Sequence, residues 1–80
     1  MLPLNQFKKL DVRPLLRSGA EPFSEIRRSI DALGPDEGLI VIAPFLPSPL
    51  IELLGSEGFD SKVEHGAKSD WIVYFWRGTA

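Results

Sequence analysis

The chain has 80 residues, of which 44% are hydrophobic and 25% are charged, and its formal net charge is −2. This length allows one compact domain, and this balance is that of a soluble globule, which excludes a disordered chain. The sequence contains no cysteine and no surplus of basic residues, which excludes thiol chemistry, thiolate metal sites and iron–sulfur ligation and opposes binding to nucleic acid phosphates.

The first eight residues are predicted to form an extended lead-in to a single domain over residues 9–78. Apolar and charged residues alternate over Leu10–Arg13, which predicts a short first strand with one buried face. Pro14 ends this strand, and a loop is expected over residues 15–21.

Pro22 predicts the start of the first helix, because a missing N–H is harmless at that position. Arg27 and Asp31 are one turn apart and are expected to form an ion pair. Gly34 is expected to end the helix as a left-handed cap. Apolar residues at helical spacing predict one buried stripe, formed by Phe23, Ile26, Ile30 and Leu33.

The middle of the chain predicts a strand and a second helix. Leu39–Ala43 is apolar on both faces of a strand. Ser48 is expected to cap the second helix, with Pro49 as its first residue. The segment Phe59–His65 predicts a third strand in which Val63 points inward.

A hairpin connection over Gly66–Ser69 leads to the last strand, Trp71–Trp76, so the predicted order is βαβαββ. Alternation sends Ile72, Tyr74 and Trp76 to one face of this strand and Trp71, Val73 and Phe75 to the other. Two short helices cover only one face of a four-stranded sheet, whereas strands that are apolar on both sides are normally covered on both.

The second face must therefore be shielded by the lead-in, by a second copy of the chain or by another protein. An aromatic face that stays open would be an interaction surface. Its anchors are expected to be Ile72, Tyr74 and Trp76, or Trp71 and Phe75 if the faces are reversed.

No apolar run is long enough to cross a membrane. The longest runs, Leu39–Pro44 and Trp71–Trp76, fall far below the about 20 residues that span a bilayer. The first residues also lack the pattern of a signal peptide. We therefore expect a cytoplasmic protein with no membrane partner.

Four short motifs resemble a known superfamily. Leu-Asp-x-Arg followed by a proline at the start of helix one resembles TusA/SirA-like domains. The closer resemblance is to the uncharacterised TusA-like family "domain of unknown function 2249", which adds a Glu-Pro pair, a Pro-x-Pro-Leu start to helix two and a final Trp-rich strand. The matching segments are Leu10–Arg13, Glu21–Pro22, Pro47–Leu50 and Trp71–Arg77.

This resemblance implies a two-layer α/β sandwich. Its four-stranded mixed sheet has the order 1-2-4-3 with strand four antiparallel to the rest, and two helices lie on one face. TusA-like proteins relay sulfur on a cysteine that would fall near Gly19 here. Because the chain has no cysteine, sulfur relay is excluded.

The loop before helix one is a candidate anion site, because free N–H groups and the helix dipole favour negative charge. Relatives also place their working residue there, so a vestigial carrier role is the alternative function. The structural alternative is that Arg13 pairs with Asp11 or Glu21, and Glu21 itself opposes an anion at the dipole. The candidate ligand-binding residues are Arg13, Arg17, Ser18, Gly19, Glu21 and Pro22.

The sequence offers few residues for a catalytic or metal-binding site. His65 is the only histidine, whereas zinc and non-haem iron sites usually use several imidazoles or thiolates. No nucleophile elbow or glycine-rich phosphate loop is present. We therefore expect no catalytic residue, metal or cofactor, and a binding module whose partner is another protein or a second copy.

Overall fold

The computed structural model describes residues 2–78. Within these residues the chain forms four strands and three α-helices in the order βααβαββ. The strands are β1 (Phe7–Asp11), β2 (Gly38–Ala43), β3 (Phe59–His65) and β4 (Trp71–Arg77). The helices are α1 (Arg13–Arg17), α2 (Pro22–Asp31) and α3 (Ser48–Ser56).

The strands form one mixed sheet in the order β1-β2-β4-β3. β1 and β2 are parallel, and β4 runs antiparallel to both of its neighbours. The predicted α+β architecture and strand order are therefore confirmed.

One face of the sheet carries the hydrophobic core. α2 and α3 bury apolar side chains against this face, and Leu15 and Leu16 of α1 pack against the same cluster. The buried members of the cluster are Val12, Ile26, Ile30, Leu33, Leu39, Val41, Ala43, Leu50, Leu54, Phe59, Val73 and Phe75.

The first strand begins earlier than predicted. β1 starts at Phe7, inside the expected lead-in, and its residues pair with Gly38–Ile42. Two consecutive lysines, Lys8 and Lys9, interrupt the apolar alternation at this edge, so the pairing was not visible in the sequence.

The segment after β1 is helical, not extended. Arg13, expected in the strand, opens α1, in which the Leu16 N–H donates to the Val12 carbonyl at 3.0 Å. Pro14 fits this helix because a proline in the first turn has no helical bond to lose. The expected loop is therefore confined to residues 18–21.

One prediction for α2 is confirmed and two are wrong. The predicted ion pair between Arg27 and Asp31 forms, at 3.1 Å. Phe23, however, is 43% exposed and does not join the buried stripe. Gly34 is not a left-handed cap, since α2 ends at Asp31 and the Gly34 N–H donates to Glu37 Oε1 at 2.7 Å.

Two later predictions are wrong for local reasons. Ser48 does not cap α3, because the bond from the Ile51 N–H to the Pro47 carbonyl, at 3.0 Å, places Ser48 within the first turn. Val63 lies opposite Val73 on the helix side of the sheet, but it is 40% exposed and is not part of the buried core. It lies on β3, an edge strand with no neighbour on its outer side.

Candidate interaction surfaces

The face of the sheet opposite the helices has no helix over it within residues 2–78. We call it the open sheet face. Cross-strand pairing places Ile40 beside Tyr74 and Ile42 beside Ile72. Its apolar side chains are Phe7, Ile40, Ile42, Ile72, Tyr74 and Trp76, all half-buried.

Aromatic rings cover one half of this face. The ring of Phe7 meets Tyr74 edge-to-face with centroids 5.6 Å apart, and meets Trp76 at 6.4 Å. These are the separations at which aromatic pairs attract. Phe7 lies over Gly38, where any larger side chain would meet its ring. The three rings therefore form a continuous aromatic surface.

Charged residues of both signs border the open sheet face along its two edge strands. Lys9 and Asp11 follow Phe7 on β1, and Asp60, Lys62 and Glu64 alternate along β3. Their position follows from the two-residue period of a strand.

A hydrogen bond links the β3 rim to the aromatic surface. The Tyr74 hydroxyl donates to Glu64 Oε1 at 2.8 Å, and Lys62 Nζ lies 3.3 Å from Glu64 Oε2. The bond to the ionised carboxylate raises the pKa of Tyr74. The same bond, together with Lys62, lowers the pKa of Glu64. The carboxylate therefore stays charged at this border.

The predicted interface residues divide between the two faces of the sheet. Ile72, Tyr74 and Trp76 lie together on the open sheet face. Trp71 lies on the helix side, where its ring is 4.2 Å from that of His65. It is therefore not part of the same surface.

The predicted shielding of this face by the lead-in is limited to Phe7. Leu4 is 62% exposed, although it belongs to the same segment. The turn Leu4–Gln6 precedes β1. The lead-in therefore does not wrap over the whole face.

Arg13, in the candidate anion site, is held by two carboxylates. Its Nη2 and Nε donate to Asp11 at 2.6 and 2.8 Å, and its Nη1 donates to Asp70 Oδ2 at 2.5 Å. The bonds from Arg13 lower the pKa of Asp11 to about 2, and the two carboxylates raise the pKa of Arg13. The predicted pairing with Asp11 is present, and the charge of Arg13 is already compensated.

The start of α2 already holds a carboxylate. Glu21 accepts hydrogen bonds from the N–H groups of Phe23, at 2.5 Å, and Ser24, at 3.0 Å. These bonds and the Ser24 hydroxyl lower the pKa of Glu21. A further anion would meet this negative charge at Pro22, the first residue of the helix.

The remaining loop residues also have local roles. The Ser18 hydroxyl donates to the Leu15 carbonyl at 2.9 Å, and Gly19 has a φ of +80°. Arg17 is exposed. The anion site stays a prediction, and the carboxylates of Asp11, Asp70 and Glu21 count against it.

A second surface was not anticipated. We call it the apolar groove, a cavity of about 160 Å³ between the N-terminal ends of α2 and α3. Phe23 and Phe45 are 43% and 49% exposed at its walls. The proline-rich stretch 44–49 supplies part of its wall. The residues that line the groove are Pro22, Phe23, Ile26, Phe45, Pro47, Pro49 and Leu50.

Within the described residues, no group of three or more His, Asp or Glu side chains is arranged to hold a metal ion. None of the three helices is long and apolar enough to span a membrane.

A family model described as "Uncharacterized conserved protein (DUF2249)" matches residues 9–77. The chain belongs to this family. The DUF2249 match includes all three helices and β2, β3 and β4, and it contains the apolar groove. Phe7 and Leu4 lie outside it. Comparison with curated proteins found no match, and neither did comparison with solved structures.

Proposed function

We propose that this DUF2249 domain is a non-catalytic interaction module that pairs with a second copy of itself through the open sheet face. The observation that carries the proposal is a sheet apolar on both sides with helices on one side only. Covering the aromatic surface formed by Phe7, Tyr74 and Trp76 would remove apolar area from water, which drives most protein association.

The charges at the border favour a second copy over a strongly charged partner. Each edge strand carries both signs, with Lys9 beside Asp11 on one edge and Lys62 between Asp60 and Glu64 on the other. Two antiparallel copies displaced by one side-chain row, about 7 Å along the strands, would place each lysine opposite a carboxylate. A partner of one charge would leave one sign unmatched.

The chemistry of the face favours binding over catalysis. Its described residues include no serine, cysteine or histidine. Tyr74 and Glu64 are bonded to each other, and the bond raises the Tyr74 pKa, which opposes its use as a nucleophile at neutral pH. Large aromatic side chains are instead the residues that dominate interface energetics.

The test is the mass in solution over a hundredfold range of concentration. We expect the wild-type mass to rise from the monomer value of 8.9 kDa towards twice that value. Trp76→Ser is expected to raise the dissociation constant about 30-fold, the effect of removing an interface hot spot. Far-UV circular dichroism checks that the variant is folded.

Two controls make the result specific. Leu53→Ser removes an apolar residue of α3 that is 37% exposed and should leave the mass unchanged. Tyr74→Phe keeps the ring and loses only the bond to Glu64, so it should still associate. A wild-type chain that stays monomeric throughout, or a folded Trp76→Ser chain that pairs normally, would contradict the proposal.

A further inference from the structure

We infer that the apolar groove accepts the N-terminal segment, residues 2–6, of a second copy of the chain, with Leu4 as the side chain that enters it. Leu4 is 62% exposed, more than any other large apolar side chain of the described residues. It begins a turn closed by the bond from the Gln6 N–H to the Pro3 carbonyl, at 2.9 Å. Leu4 is therefore displayed on an ordered turn.

The size and lining of the groove suit one apolar side chain. Its volume of about 160 Å³ is several times the about 30 Å³ of a water molecule and below the about 300–1,000 Å³ of small-molecule pockets. All of its lining residues are proline, phenylalanine, isoleucine or leucine. Such a lining offers water no side-chain hydrogen-bond partner, so an apolar occupant is favoured.

The segment that enters the groove must belong to another copy, because the chain's own residues 2–6 lie too far from it. The N-terminal segment enters the sheet at Phe7, beside Gly38. The groove residues follow the opposite ends of β1 and β2, beyond Asp11 and Ala43. A strand of five residues places its ends more than about 13 Å apart, and the turn at Leu4 shortens the reach of the segment. The chain therefore does not fill its own groove.

Opposite charges favour the contact. Residues 2–10 contain two lysines and no acidic residue. Lys8 lies 3.6 Å from Glu37 of its own chain, so Lys9 is the cation that can meet the border of the groove. The Glu21 carboxylate lies beside Phe23 at the wall of the groove. Glu52 is one turn from Pro49 on α3, and it forms no ion pair with any residue of the range 2–78.

The nearest cations on α2 do not cancel this negative charge. Arg27 is bound to Glu57, at 2.8 Å, and to Asp31, at 3.1 Å. Arg28 is bound to Glu25 at 2.9 Å. The groove thus presents apolar walls with an acidic border to an uncharged segment that is followed by the basic residue Lys9.

The experiment titrates a fluorescent peptide, Leu-Pro-Leu-Asn-Gln-Phe-Lys-Lys (residues 2–9), with the full chain carrying Leu4→Ser, which removes the competing leucine. We expect saturable binding. Leu4→Ser in the peptide, or Phe45→Ser in the chain, should weaken it about tenfold, as expected for loss of one buried apolar side chain. Leu53→Ser in the chain is the matched control and should not change the affinity.

The result is separable from the sheet-face dimer. The titration is repeated with a chain that carries Leu4→Ser and Trp76→Ser together, and the affinity should be the same. Absence of saturable binding, or equal affinity for the Leu4→Ser peptide, would overturn the inference whether or not the dimer forms. Loss of binding in the double variant would overturn it as well, because the site would then lie on the open sheet face.

Discussion

Gly38 is the residue on which the packing of the open sheet face depends most directly. An added Cβ would lie 2.7 Å from the backbone oxygen of Phe75 and would also meet the ring of Phe7. The Phe75 oxygen is part of the β2–β4 pairing and moves only with the sheet. The absent side chain therefore leaves room for the Phe7 ring beside Gly38.

We expect Gly38→Ala to destabilise the fold by about 1–3 kcal/mol, the range for overpacking a well-packed site. Gly55 is the matched control, because it lies within α3 and an added Cβ has nothing within 4 Å. Gly55→Ala should stabilise the fold by about 0.5–1 kcal/mol, since alanine is the better helix former. Urea unfolding of both variants measures the difference, and equal midpoints would contradict it.

The Asp11–Arg13–Asp70 cluster makes the fold sensitive to acid. The pKa of Asp11 is lowered from 3.8 to about 2 in the folded chain, so the ionised carboxylate favours folding. This contribution is complete above about pH 3.8 and is lost as the pH falls towards 2. The lowered pKa values of Glu21, Glu37 and Glu64 act in the same direction.

The free energy of unfolding is therefore expected to fall as the pH drops below about 4, and Asp11→Asn should make that fall shallower. The variant removes the titrating group and keeps the shape of the side chain. Denaturant unfolding at pH 7 and at several values between 4 and 2 measures the slope. A slope identical to that of the wild-type chain would show that Asp11 does not contribute.

At the scale of elements, α2 depends on its first turn. The Glu21 carboxylate satisfies two N–H groups that have no partner within the helix. It also places a negative charge at the positive end of the helix dipole. The start of α2 in turn positions Phe23 at the wall of the apolar groove.

Glu21→Ala is expected to lower the melting temperature and to weaken peptide binding in the groove, because both the cap and the acidic border are lost. Glu21→Gln should restore part of the stability, since its amide oxygen still accepts a hydrogen bond. Glu25→Ala is the control, as its carboxylate bonds only the exposed Arg28 and makes no bond to the helix backbone. Equal melting temperatures for Glu21→Ala and Glu25→Ala would contradict the role of the cap.

Helices and strands with a clear hydrophobic periodicity could be predicted from the sequence, and the others could not. The stripe of α2 and the doubly apolar β2 carry periodicities that the core enforces. α1 has only five residues, Arg13–Arg17, and its proline was interpreted as the end of a strand. Phe23 has the helical spacing of the buried stripe, but it lies in the first turn of α2. Its side chain there lines the apolar groove and is not part of the core.

At the scale of the molecule, the open sheet face could be predicted from the sequence, whereas the apolar groove could not. The sequence shows strands that are apolar on both faces and too few helices to cover both faces of the sheet. One face of the sheet must therefore be free of helices. The groove joins Phe23 to Phe45 and Pro47, which are more than twenty positions apart in the sequence. They come together only because α2 and α3 pack on the same face of the sheet, and no local sequence pattern predicts this contact.

The positions of the two tryptophans have a spectroscopic consequence. Trp71 and Trp76 belong to one strand but lie on opposite sides of the sheet, Trp71 against His65 and Trp76 against Phe7. Their indole emission therefore reports on two different environments of the same rigid element. With either one replaced by phenylalanine, the remaining fluorophore monitors a single side of the protein without any attached label.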